Sequence, residues 1–191
     1  MAILTGFIQA RIYALILGLL AWPHVDEWLF CGLAALLFGL FARWFGLRSG
    51  LIKKEKTALS SGQRIVFGVR VFLHPALVEE SIFRGLLLPS PASESLTPAV
   101  ATWYLVSLLL FIGAHPLNGF LLRKSARRVF TNPAFITLAG LLGLFASAMY
   151  AYSGSLWPPI LFHGVMVYTW LVHYGGIATI SKGREPLVPL A

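Results

Sequence analysis

Long apolar runs separated by short polar connections dominate the chain. Six can be marked, at about residues 3–22, 28–47, 65–88, 99–117, 134–152 and 156–175, each close to the ~20 residues a helix needs to cross a hydrocarbon core. Within them the pattern has no period of two. The stretch from Leu33 to Phe41 is apolar on every face, whereas a membrane barrel strand alternates polar and apolar positions. The pattern therefore predicts an all-α fold, a polytopic transmembrane bundle of about six spans. At 191 residues it leaves no room for a separate soluble domain, so residues 1–191 read as one transmembrane domain.

Composition agrees. The chain is 58% hydrophobic and 12% charged, with a mean hydropathy of +0.78, against about 45–50% and about 25% in soluble domains. Fifteen Lys and Arg against seven Asp and Glu give a net charge of +8. A nucleic-acid partner is not expected, because that charge does not form a solvated basic face; the partner is the bilayer. Arg48, Lys53, Lys54, Lys56 and Arg64 lie between runs two and three, Arg123, Lys124, Arg127 and Arg128 between four and five, and Lys182 and Arg184 after six. The intervening connections carry Asp26 and Glu27, then Glu94, then no charge. By the positive-inside rule both termini face the cytoplasm.

Several residues have ordinary readings. Arg11 sits near enough to the N-terminus to snorkel to the cytoplasmic interface. Leu20 to Pro23 makes a poor cleavage site, so no removable signal peptide is expected. Pro89 to Pro98 reads as an irregular external loop, with Pro98 opening the fourth span. Cys31 is the single cysteine, which excludes an intrachain disulfide or a thiolate cluster.

Ionisable residues inside the runs carry the chemistry, because a charge at the bilayer centre costs at least about 2.5–3.5 kcal/mol and needs a partner or a function. Run three holds Glu79, Glu80 and Arg84, with His74 beside Pro75; run four holds His115; run six holds His163 and, near its end, His173. Glu80 and Arg84 are i and i+4, the spacing that lets them neutralise each other. Glu79 points about 140° away from Arg84 and has no intrahelical cation, the condition under which a carboxylate can serve as a general base near neutral pH. His115 shares a stripe with Tyr104, Ser107 and Phe111, and His163 with Val167 and Trp170. Three helices thus offer an acid or an imidazole inward, a constellation that can activate water. His173 reads as interfacial, His24 as loop, and Pro75 as marking a kink.

Taken together, Glu79-Glu80-Ser81-Ile82-Phe83-Arg84-Gly85, Phe111 to His115, and Leu156 to Gly164 resemble the EExxxR, FxxxH and third-histidine motifs of the CPBP family. These are the CAAX proteases and bacteriocin-processing enzymes of the ABI family, which includes the type II CAAX prenyl endopeptidases. The resemblance covers about residues 70–175; residues 1–64 add two N-terminal spans and a basic cytoplasmic loop. It implies an intramembrane catalytic chamber and a glutamic endopeptidase acting on a membrane-associated peptide or protein substrate, without cofactor or metal. Glu79 would deprotonate a water with help from His115, and His163 would stabilise the oxyanion; Glu80 and Arg84 would support them. The family continues its third motif as HxxxN or HxxxD. Here that position is Val167, which donates no hydrogen bond, and losing one such donor costs about 10²–10³ in rate.

Three alternatives stay open at this stage. Glu79, His115 and His163 also suit a catalytic zinc site with one open position, although no HExxH spacing is present. Val167 suits a non-catalytic adaptor or immunity-type binding protein. A proton-coupled carrier would need an inverted repeat, and none is visible. The runs also place Glu79 roughly 20 Å and His115 roughly 10 Å from the cytoplasmic ends of their helices at ~1.5 Å per residue. A kink near His74-Pro75, a later start of run three, or continuation of run four through Leu122 would bring them level.

Overall fold

Apolar runs without turn chemistry leave backbone groups no partner but one another, and in lipid that means helices. The computed structural model describes residues 2–54, 57–91 and 97–181, and every extended element among them is helical. Lys56, Glu94, Lys182 and Arg184 lie outside the described residues. The helices are α1 (Ala2–Leu20), α2 (Val25–Arg48), α3 (Ser61–Val71), α4 (Val78–Glu80), α5 (Pro98–Leu121), α6 (Arg127–Phe130), α7 (Pro133–Ser153), α8 (Trp157–His173) and α9 (Gly176–Ser181).

Sequence chemistry sets the boundaries. Ser60 and Gln63 form a reciprocal capping box at the start of α3. Thr97 caps α5 and Asn132 caps α7, each followed by Pro at the first helical position. Gly154 closes α7 in the left-handed region at φ 64°. Pro98 opens α5 as expected.

Three helices, α2, α5 and α7, are long and apolar enough to cross a membrane. The other three expected runs differ. In α1 the described apolar helix is Ile8–Leu20, α8 has 17 residues, and run three is broken. After α3 the hydrogen-bond register widens into π-helical stretches, Phe72–Leu77 and Ser81–Leu86, on either side of α4. At His74 the backbone is extended, φ −151° and ψ 114°. Pro75 has no N–H to give the preceding turn and disfavours helical geometry in the residue before it, so the helix changes direction there. The expected kink is present, and α5 also runs on to Leu121. Run three begins earlier than expected, at Ser61.

The core centres on α7, which packs against α2, α5 and α8. Cys31, Phe38, Phe111, Leu142, Met149 and Phe162 form its main cluster. On the outside, Leu29, Leu33, Leu36, Leu37 and Leu40 of α2 stay exposed, an apolar face such as lipid covers. Arg11 does not snorkel outward. Its Nη1 donates to the carbonyl of Leu88 at 2.9 Å, one of the carbonyls left without an intrahelical partner where the broken helix ends.

Candidate active site

The break at His74 delivers two adjacent acids into the bundle at different depths. Glu80 is fully buried and Glu79, one residue earlier, keeps 24% of its side chain exposed. The i, i+4 spacing brings Glu80 to Arg84, whose Nη1 lies 3.2 Å from Oε1 and 3.0 Å from Oε2. Arg84 is also fully buried. Its Nη2 donates to the Gly143 carbonyl at 2.6 Å and its Nε to Ser147 Oγ at 3.4 Å, while the guanidinium lies 4.5 Å above the Phe111 ring. A buried guanidinium is tolerable only with its donors matched in this way. Gly143 permits it, because a Cβ there would meet Phe111 at 2.8 Å.

His163, buried on α8, stands on the far side of Glu80. Its Nδ1 lies 2.7 Å from Glu80 Oε1; a carboxylate only accepts, so Nδ1 carries a hydrogen and donates a hydrogen bond to it. Nε2 is thereby turned toward Glu79, whose Oε2 is 3.9 Å away, too far for a direct hydrogen bond. On α5, His115 Nδ1 lies 2.9 Å from the Phe111 carbonyl. A carbonyl only accepts, so Nδ1 bears the hydrogen and Nε2 is left for the interior. Phe111 separates the imidazoles edge-on, 4.9 Å from the ring of His115 and 6.0 Å from that of His163. Both histidines therefore present the same nitrogen.

Glu79, His115 and His163 open onto one cavity of about 350 Å³, which Asn118, Val167 and Trp170 also line. Most of its remaining wall is apolar or aromatic. Glu80 and Arg84 sit behind that wall. His74 reaches the same cavity, which the sequence left undecided. His173 packs instead on Tyr168, ring centres 6.1 Å apart, and His24 belongs to the cap of α2. Among the described residues no three His, Cys, Asp or Glu stand close enough together to hold a metal ion.

Sequence reasoning missed Ser147 and Asn118. Ser147 is a small hydroxyl in an apolar run, and its Oγ also donates to the Gly143 carbonyl at 2.9 Å. Asn118 lies one residue beyond the expected end of run four. The signal available for both was a polar residue inside or at the edge of a lipid-grade segment.

The sequence matches a family model, type II CAAX prenyl endopeptidase Rce1-like, over residues 61–169, from the first residue of α3 to the last turn of α8. Every member of the acid and imidazole cluster falls within the match, and α1 and α2 fall outside it. No curated protein and no solved structure matches the chain.

Proposed function

The chain belongs to the Rce1-like family of type II CAAX prenyl endopeptidases and is an integral membrane protein; from that premise we propose that it hydrolyses peptide bonds of membrane-associated, CAAX-type or bacteriocin-like substrates inside an intramembrane chamber. In this reading the chamber is the cavity described above, the bundle has six spans and both termini are cytoplasmic. The observation that carries the proposal is the asymmetry around His163. One nitrogen is held from behind by a buried carboxylate, and the other faces an accessible carboxylate across 3.9 Å, a gap that suits a water touching both groups.

The chemistry follows from the atoms presented. Glu79 takes a proton from that water, with His115 Nε2 as the second acceptor within the chamber, and the hydroxide formed attacks the scissile carbonyl. The tetrahedral intermediate then collapses with cleavage of the C–N bond as Glu79 returns the proton to the leaving amine, and no covalent enzyme intermediate is needed. In this scheme His163 carries a hydrogen on both nitrogens: the one on Nδ1 bonds Glu80, which Arg84 fixes in turn, and the one on Nε2 is donated to the developing oxyanion. Glu79, His115 and His163 are the catalytic residues of this scheme. Glu80 and Arg84 are positioning residues. Apolar walls suit a substrate that arrives from lipid and keep bulk water from competing.

Purified protein in detergent, incubated with membrane-anchored peptides, tests the scheme. Wild type is expected to cleave, and Glu79→Gln to lose at least about 10³-fold in rate while remaining folded and inserted, because the amide keeps the shape and removes the base. Activity is also expected to survive prolonged dialysis against a strong chelator. Stoichiometric metal whose removal and return switch hydrolysis off and on would instead require Lewis-acid activation of water. Val167 favours a second reading, a non-catalytic binding protein on the family fold. Failure of wild type to cleave any anchored peptide, with binding intact, would establish that reading.

A further inference from the structure

A buried indole N–H without an acceptor is rare in folded proteins and calls for an explanation. Trp170 has one. Its Nε1 is enclosed and meets no acceptor among the described residues, although the residue lines the cavity. The complementary orphan stands in the same wall, since the side-chain oxygen of Asn118 is also enclosed and meets no donor there. Nor is the indole loosely placed. The indole packs on Phe135 at 5.7 Å between ring centres and against the first residue of α9, where a Cβ on Gly176 would come within 3.0 Å of the ring. Asn118 is fixed through its backbone carbonyl, which accepts from the Leu122 and Arg123 amides where α5 ends.

Neither residue reaches the atoms of the proposed hydrolysis. Trp170 lies seven residues beyond His163 on α8, about 10 Å along the axis and about 20° around it. Asn118 lies one turn beyond His115 on α5. The two helices advance together: Phe111 lies beside His163 at 6.0 Å, and Phe135 touches both His115, at 5.5 Å, and Trp170. Donor and acceptor are therefore displaced toward the same end of the cavity, where Arg123, whose amide bonds the Asn118 carbonyl, also lines it. At about 3.3 Å per residue of extended chain, 10 Å corresponds to about three residues of substrate.

We propose that Trp170 and Asn118 form a backbone clamp for an extended peptide, engaging a peptide unit about three residues from the scissile bond. As a peptide enters, the side chains that enclose these two atoms give way, so that Trp170 Nε1 donates to a substrate carbonyl and the Asn118 side-chain oxygen accepts a substrate N–H. The assignment rests on the peptidase reading for the position of the scissile bond, but not for the binding itself. Main-chain groups are common to all peptides, so the clamp sets the register of the chain in the chamber and not the identity of a side chain. Both are positioning residues.

The test separates binding from hydrolysis. Full-length Glu79→Gln protein in lipid nanodiscs is titrated with a fluorescent, membrane-anchored peptide and with a series in which each amide in turn is replaced by an ester. Adding Trp170→Phe or Asn118→Leu is expected to weaken binding about tenfold, the loss of one net hydrogen bond. One ester position is expected to weaken binding by a similar factor, and to have no further effect in the Asn118→Leu background. In proteins that retain Glu79, Trp170→Phe should raise KM and leave kcat within about twofold, the signature of uniform binding. Unchanged affinity in both variants, ester losses independent of background, or no peptide binding at all would overturn the clamp. If Trp170→Phe fails to fold, the ester series in the Asn118→Leu background decides. Peptide binding with the expected pattern but no hydrolysis would sink the peptidase reading and leave the clamp standing.

Discussion

The two sides of the His163 ring are built to opposite rules. On the Nδ1 side, Glu80, Arg84, Ser147 and the Gly143 carbonyl bond to one another without exposure, and their geometry is set by partners on three helices. On the Nε2 side, Glu79, His115, Asn118 and Trp170 line a cavity, and the side-chain oxygen of Asn118 and the indole N–H of Trp170 have no partner among the described residues. The contrast teaches how a membrane protein separates support from reactivity. On one side the charged groups are tied to one another, and on the other they stay open to the cavity.

Substitutions on each side should therefore fail differently. The largest effect expected is from Glu80→Ala, which leaves Arg84 buried without its counter-charge; loss of such a partner costs about 3–5 kcal/mol, measured as a fall in denaturant resistance or in yield of inserted protein. Equal stability of wild type and Glu80→Ala would erase the distinction between the sides. Val167→Asn should act in the opposite sense, on the open side. If the oxyanion site is one donor short, the added amide raises turnover by up to about 10²-fold with little change in KM. No change in turnover would mean that another donor already serves. Ser147→Ala is the smallest. It removes the longest of the Arg84 contacts and leaves the Gly143 carbonyl still bonded to Nη2, so a loss of about 1 kcal/mol in stability is expected, with KM unmoved.

How much of this was readable beforehand follows from the range of each interaction. The helices α1, α2, α5, α7 and α8 fall on apolar runs, and the i, i+4 pairing of Glu80 with Arg84 is a local rule that needs no tertiary information. Pro75 marks the break for the same reason. The contact between Glu80 and His163 joins residues 83 apart in the chain, so spacing assigned Glu80 to Arg84 alone and missed its second role. The orientation of Arg11 failed likewise, since the Leu88 carbonyl that receives it exists only because the helix ends there. Asn118 was lost to a boundary drawn at residue 117, a matter of a few residues in a feature that sequence patterns locate poorly. Trp170 could be placed on the His163 face by period, but its lack of an acceptor is a property of the packed bundle.

The Arg84 site also constrains the order in which the chain can be assembled. Two of its partners, the Gly143 carbonyl and Ser147, lie 59 and 63 residues downstream, on a helix that emerges from the ribosome well after the acidic segment has been made. Until α7 is made, Glu79, Glu80 and Arg84 have only one another for charge relief, and an unpaired charge at a bilayer centre costs roughly 2.5–3.5 kcal/mol on the insertion scale. The segment after α3 therefore reaches its final arrangement only once α7 supplies the carbonyl and hydroxyl that its guanidinium bonds.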